Sequence, residues 1–471
     1  MSTVLHYDVL VIGSGPAGQK AAIQGAKAGK RVAMIECEPG VGGGCVYRGT
    51  IPSKTLRESA LQADRLKQSE TMPDRRTPPN VMVSTLMRRL NQVVTSHGDY
   101  MMNQLTRNGV ILFHGRAHFR SNNQIEMLTV DGMKQTFTAD TIVIATGSRP
   151  RAPVEIPIDH EHILDSDSIL SMIYLPRSLT VLGGGIIALE YASIFAALDV
   201  QVTIIDRADR PLQFFDEELV RMFVQSFEQA GGRYYGGQAM KDVRWDGVSQ
   251  VVTTLQDGQV FASDKMLVAV GRQPNIEDLN LGATGLTLTE KGALAVNEHG
   301  QTAIPHIYGV GDLVGPPGLA SSGMEQGRRA VCHALGLPEG QSAGTIPIGI
   351  YTIPEMSSIG LDEMEARKRY RGVMIGRARF NEIARGQISD IRNGLLKMVA
   401  DPTGEYLLGV QIVGEGATEL IHLGQMALQY GATVDSFVEN IFNFPTLAET
   451  YRVAALDIVG QRQKRLASTA A

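Results

Sequence analysis

Tyr7 to Glu36 reads YDVLVIGSGPAGQKAAIQGAKAGKRVAMIE, and this stretch decides the fold. An apolar run, Val9 to Ile12, leads into Gly13-Ser-Gly15-Pro-Ala-Gly18. A segment of small residues follows, then a second apolar run that closes on Glu36. Continuous apolar runs of this kind are strands buried on both faces, as in a parallel sheet. The three glycines have separate physical tasks between strand and helix. The first permits the tight turn, the second lets a pyrophosphate approach the backbone, and the third lets the helix pack on the strand. The helix N-terminus adds free N–H groups and a partial positive charge for the anion. Glu36 offers acceptors to ribose hydroxyls.

The same plan returns in Ser178 to Asp206, SLTVLGGGIIALEYASIFAALDVQVTIID. Gly183 and Gly185 hold the first two glycine positions, and Ala188, still small enough for close packing, holds the third. The interval from Gly183 to Asp206 equals that from Gly13 to Glu36. Two βαβ units predict two dinucleotide-binding domains. Asp206 is the ribose acid of the second. Arg207 and Arg210 follow it and permit two readings. Either they fork onto the 2′-phosphate of NADP, so that the site accepts NAD and NADP alike, or they are solvated surface charges.

Helices are predicted over Ser53–Leu66 and Val83–Asn108, short strands around Val110–Val130, and a surface loop at Pro73–Asn80. TIVIATGSRP (Thr141–Pro150) reads as a buried strand, a glycine turn and a domain exit. HIYGVGDL (His306–Leu313) is again strand then glycine. From Thr345 onward strands alternate with two helices and no nucleotide fingerprint occurs. The expected architecture is α/β, with two Rossmann-like domains and a C-terminal α+β dimerisation domain. Its boundaries are 1–150 (FAD-binding, first part), 151–274 (NAD(P)-binding), 275–344 (FAD-binding, second part) and 345–471.

The chain has 471 residues, 43% hydrophobic and 20% charged, with a formal net charge of −5. That balance implies no general attraction to nucleic acid or anionic membranes. Cys37, Cys45 and Cys332 are too few and scattered for a disulfide framework and suit a reducing cytosol. No basic segment precedes the first apolar run, so a buried strand explains it better than a signal peptide. No uncharged run of about 20 apolar residues exists to span a membrane; the richest stretch, Leu179–Val200, contains Glu190 and three consecutive glycines. No metal site is expected.

Taken in order, the fingerprint at Gly13, GGGC (Gly42–Cys45) with IPSK (Ile51–Lys54), ATG (Ala145–Gly147), the fingerprint at Gly183 and GVGD ending at Asp312 resemble the two-dinucleotide-binding flavoprotein disulfide reductases. The resemblance covers essentially the whole chain. It implies FAD held by the first unit and NAD or NADP by the second, with Lys54 beside the flavin and paired with Glu190. It implies Asp312 on the flavin ribityl chain, and flavin or nucleotide contacts at Gly43, Gly44, Cys45, Ala117, Thr146, Gly147, Gly271 and Ala320. It also implies a homodimer, or a higher homo-oligomer, built on the last domain.

The departures from that family are informative. Its thiol chemistry needs two cysteines with four residues between them, one to attack the substrate and one to relay electrons. Here Cys45 is followed at the second position by Thr50. Near the C-terminus, NFPTLAETYRVAALD carries Phe444 where thiol-reducing members have a histidine, leaving Glu449 no imidazole to orient. Both losses strike disulfide reduction and spare hydride transfer, which needs two rings in near-attack geometry and the cofactor's electrons. The expected activity is FAD-dependent hydride transfer between NADPH and NAD⁺. The alternatives are a flavin-dependent NAD(P)H:quinone reductase, a dihydrolipoamide dehydrogenase, disfavoured by Thr50 and Phe444, and a non-catalytic FAD-binding scaffold, the last opposed by the intact second fingerprint.

Overall fold

The structure is a computed structural model that describes residues 4–68, 83–340 and 344–470. β1 (Val4–Ile12), α1 (Pro16–Lys27) and β2 (Val32–Glu36) form the first βαβ unit. The two strands run parallel with Val9 opposite Val32 and Ile12 opposite Ile35, and Val9, Leu10 and Val11 have no exposed surface. α2 (Gly43–Tyr47), α3 (Thr50–Gln68) and α4 (Val83–Arg107) follow. The loop predicted at Pro73–Asn80 lies outside the described residues. β3 (Ile111–His114), β4 (Arg116–Ser121), β5 (Gln124–Leu128) and β6 (Lys134–Ile144) complete a sheet ordered β3-β2-β1-β6-β5-β4, and Ile307–Gly309 later adds to β6.

The chain leaves this sheet through β7 (Ser148–Pro150) and enters a second one at β8 (Ile163–Asp165). β9 (Ser178–Leu182), α5 (Ile186–Ala197) and β10 (Gln201–Ile205) are the second βαβ unit. α5 is buried along ten of its residues, nearly all of them apolar or small, as in a helix enclosed by its neighbours, with Glu190 the one charged exception. α6 (Glu217–Gln229), β11 (Arg233–Tyr235), an antiparallel trio β12 (Met240–Trp245), β13 (Val251–Leu255) and β14 (Val260–Ser263), and β15 (Lys265–Val268) follow. The parallel order is β11-β10-β9-β15-β8. β16 (Arg272–Pro274) returns antiparallel to β7, so the outgoing and incoming chains cross side by side. β17 (Ile307–Gly309) and α7 (Ala320–Ala334) close the first sheet's layer.

The remainder is a five-stranded antiparallel sheet, β18 (Ile348–Ile350), β19 (Met356–Gly360), β20 (Met374–Arg379), β21 (Leu395–Ala400) and β22 (Leu407–Val413), ordered β18-β19-β22-β21-β20. Here the sequence reading is corrected. The described residues hold five helices rather than two: α8 (Glu363–Arg369), α9 (Ala384–Ile388), α10 (Ala417–Gln429), α11 (Val434–Glu439) and α12 (Glu449–Ala470). α8, α9 and α11 are too short to show a 3.6-residue period. Two of them start at side-chain caps: Asp362 accepts from the Glu365 N–H at 2.7 Å, and Thr433 accepts from the Ser436 N–H at 3.3 Å.

A charged cluster ties this last sheet to the second one. Lys397 on β21, 3% exposed, reaches Asp216 at 2.8 Å, Glu218 at 3.1 Å and Glu363 at 2.7 Å. Asp216 is also the N-cap of α6, accepting from Glu218 N–H at 3.0 Å.

Candidate active site

The first glycine loop is built as its sequence requires. Gly13 has φ +101°, and a Cβ there would lie 2.5 Å from the Ala145 carbonyl oxygen. A Cβ on Gly18 would lie 2.0 Å from the Gly13 carbonyl oxygen, so helix and turn are in backbone contact. Gly15 instead faces open space and caps α1 with no side-chain hydrogen bond, leaving the helix amides free for an anion. Buried Glu36 accepts from Ser14 N–H at 2.7 Å and Glu38 N–H at 2.9 Å, which fixes its carboxylate at the strand end. The GGGC turn lies against this loop: Ser14 Oγ accepts from Gly42 N–H at 3.0 Å, and a Cβ on Gly43 would stand 3.0 Å from Gly15 Cα. A dinucleotide therefore fits here, on a cradle that any side chain at Gly15 would obstruct.

Beyond the pyrophosphate cradle the predicted residues converge. Lys54 on α3 donates to Glu190 on α5 at 2.7 Å, although 136 positions separate them. Glu190 is 6% exposed at its side chain, and its other oxygen accepts from Tyr351 N–H at 2.9 Å. The Lys54 ammonium also stands over the Tyr351 ring, 4.9 Å from its centre. All three elements of the chain therefore meet at one ion pair: α3 from the first unit, α5 from the second and Tyr351 from the last.

Cys45 lies beside Lys54 in this corner, and the Thr50 hydroxyl reaches its thiol. Burial raises the Cys45 thiol above its ordinary value, more than the Thr50 hydrogen bond and the Lys54 charge lower it. A raised thiol is a poor nucleophile. The cysteines are free thiols. Thr50 thus occupies the position from which a partner cysteine would bond to Cys45, with a hydroxyl that cannot. Phe444 is 74% exposed, and Glu449 turns to the backbone, accepting from Thr446 N–H at 3.3 Å.

Asp312 accepts from Ser148 Oγ at 2.7 Å, and Arg272 Nε donates to the same hydroxyl at 2.8 Å. Thr146 Oγ1 donates to the Asn275 carbonyl at 2.7 Å, and Gly147 accepts from Asn275 N–H at 3.0 Å. The Gly271 carbonyl accepts from Arg151 N–H at 3.0 Å. Ala320 is the first residue of α7. Ala117 is buried in the core of the first sheet, so only its backbone is available to a ligand.

In the second loop a Cβ on Gly183 would lie 2.6 Å from the Ala269 carbonyl oxygen, Gly185 faces open space, and Ala188 is fully buried. Gly184 has its own reason: a Cβ there would lie 1.9 Å from Asp206 Oδ2. Tyr234 donates to that carboxylate at 3.2 Å and contacts the Ala208 carbonyl at 3.0 Å. The structure separates the two arginines. Arg210 donates to the Phe215 carbonyl at 2.9 Å and the Gln213 carbonyl at 3.1 Å, whereas Arg207 is exposed next to Asp206. The sequence reading missed Tyr234, Tyr351, Ser148 and Arg272; of these Ser148 had a local signal, since it directly follows Gly147 in the TIVIATGSRP stretch.

Two glycine-loop βαβ units and a buried Lys54–Glu190 pair between them suit a flavin- and nicotinamide-using oxidoreductase. The pyridine nucleotide-disulphide oxidoreductase family model matches residues 7–327 and that family's dimerisation domain matches residues 346–455; the chain belongs to this family and binds FAD and NAD(P). It is 41% identical over 465 residues to a soluble pyridine nucleotide transhydrogenase of Mycobacterium bovis, covering 97% of this chain and 98% of that one. It is 40% identical over 468 residues to the protein of that name from Citrobacter koseri, covering 96% and 97%. Among solved structures, LpdA from Mycobacterium tuberculosis superposes with a TM-score of 0.89 at 26% identity, covering 96% of this chain and 99% of that one. Among the described residues no helix is long and apolar enough to cross a membrane.

Proposed function

We propose that the chain is a soluble NAD(P)⁺ transhydrogenase, passing hydride between NADPH and NAD⁺ through bound FAD without a redox disulfide. The observation that carries this is Thr50 against Cys45: the flavin-side thiol has a hydroxyl for its partner. The names of the Mycobacterium and Citrobacter relatives support it. When bound, FAD would supply the two-electron hydride chemistry that links the two nicotinamide nucleotides. Gly13, Gly15, Gly18 and Glu36 would hold its nucleotide half, and Asp312 and Thr146–Gly147 the middle. Lys54, fixed by Glu190, would place a positive charge where electron density gathers. Gly183, Gly185 and Asp206 would seat the nicotinamide nucleotide. The domain boundaries given above are supported by the β7–β16 pairing at the two crossings. A homodimer is supported by the dimerisation-domain match and by the exposed Ile441 and Phe444. The cytoplasm suits the three free thiols.

The direct test mixes purified protein with NADPH and thio-NAD⁺, with lipoamide and a quinone as parallel acceptors. Rapid thio-NAD⁺ reduction supports the assignment; turnover confined to the quinone or lipoamide overturns it. Reductive titration is expected to take up two electrons per flavin, and uptake of four would reveal a redox partner for Cys45. Cys45→Ser is expected to keep transhydrogenation within about tenfold, a barrier change of no more than ~1.4 kcal/mol. A variant that is fully loaded with FAD and reduced normally, yet fails to pass hydride to NAD⁺, would show a catalytic thiol.

Arg207 is the residue free to meet a 2′-phosphate. Arg207→Ala is expected to weaken NADP(H) by roughly 1.5–3 kcal/mol and to leave NAD(H) nearly unchanged. Arg210→Ala removes two donors from backbone carbonyls and is expected to affect both nucleotides alike. Fluorescence titration with each nucleotide reads both variants. An equal loss for NAD(H) and NADP(H) in Arg207→Ala returns that residue to the solvated surface.

A further inference from the structure

We propose that His299, His333 and Glu339 bind a divalent transition-metal ion, Zn(II) best of all, at the C-terminal end of α7, away from the glycine loops. The three come from separate segments: His299 from the loop before β17, His333 from the last turn of α7, and Glu339 from the chain beyond it. Each is half-buried, and one ligand atom from each lies within 4.8 Å of the others. Two imidazoles and a carboxylate are a set that zinc takes readily, with a water completing the tetrahedron. Mixed nitrogen and oxygen donors without a thiolate disfavour Mg²⁺ and Ca²⁺ on one side and Cu(I) on the other.

The surroundings orient all three. The Tyr308 hydroxyl is 2.8 Å from His333 Nδ1, which fixes that ring and leaves Nε2 for a ligand bond. Glu298 lies 3.6 Å from His299 Nε2, so His299 would bind through Nδ1 with a carboxylate behind it. Glu339 uses one oxygen on Arg329 at 2.8 Å and points the other at His299 Nδ1, also at 2.8 Å. Yet that buried nitrogen has no aligned hydrogen bond. A buried ring nitrogen that faces a carboxylate oxygen with no aligned hydrogen bond is a place that a cation can bridge. The two rings now stack at 4.1 Å and 16°. Ligand atoms about 3.3 Å apart, as ~2.0–2.2 Å bonds to zinc require, are reached by turning His299, which that nitrogen does not restrain.

The test is isothermal titration of chelator-treated, FAD-loaded protein with Zn(II), and with Co(II) followed by its absorption beyond the flavin bands. One ion per chain is expected. His333→Ala and Glu339→Gln should each weaken it at least about tenfold, the lower end even for an outer partner of a metal ligand. Cys37→Ser and Cys45→Ser should leave it unchanged. Circular dichroism and flavin content report whether each variant folds. Wild-type binding weaker than a Kd of about 1 mM, or a site lost with either cysteine instead, overturns the proposal whatever the histidine variants do.

Discussion

Lys54→Ala slows flavin reduction by NADPH by a factor on the order of 10²–10³ when FAD content is matched, the loss that follows removal of one charge-stabilising donor from an enclosed site. Two effects act together. The ammonium that would stand beside the reacting ring is gone, and Glu190, 6% exposed, loses the partner of one oxygen while the other still accepts from Tyr351 N–H. An uncompensated buried carboxylate would then stand beside the proposed flavin position and oppose the charge that reduction develops. Lys54→Met combined with Glu190→Gln separates these effects, because it removes both charges. Its flavin should be reduced faster than in Lys54→Ala and more slowly than in the wild type. Stopped-flow reduction of all three proteins is the measurement. A Lys54→Ala rate within about threefold of wild type would confine the pair to holding the domains together.

Lys397→Met carries the largest expected cost in stability, roughly 3–5 kcal/mol, because it leaves Asp216, Glu218 and Glu363 crowded around a vanished cation. Burial alone would raise the Glu363 carboxyl, but Lys397 and Arg367 hold it down at about 2; Glu218 is likewise lowered, its burial outweighed by Arg377 and Lys397. A carboxylate depressed in the folded state stabilises above its ordinary value and loses that contribution as pH falls through the folded value. Wild-type stability from this cluster therefore declines between about pH 4.5 and about pH 2. Without the lysine Glu363 and Glu218 accept protons more readily, so the gap between variant and wild type should narrow over the same window. Thermal unfolding midpoints at pH 7 and pH 4 read both effects. A gap that widens on acidification would show that the carboxylates do not depend on Lys397.

Both βαβ units, with Gly13, Gly18 and Gly183 in backbone-contact turns, were legible because each demand is local: a strand, a tight turn and a helix within about thirty residues. The replacement of a second cysteine by Thr50 was legible too, since it lies only five positions after Cys45. The short helices of the last domain were not, because a helix of five to seven residues has no room for a period to declare itself.

What the sequence by itself determined is therefore the two glycine-loop βαβ units and the threonine that stands five positions after Cys45, both written in short-range spacing. Only the tertiary structure decided what those units share. It brought Tyr351 across the chain to clamp Glu190 and Lys54, placed Tyr234 against Asp206, and turned Arg210 onto backbone carbonyls while leaving Arg207 exposed. The reason is physical: such contacts are chosen by which elements pack together, and packing joins residues whose separation along the chain carries no signal of their meeting.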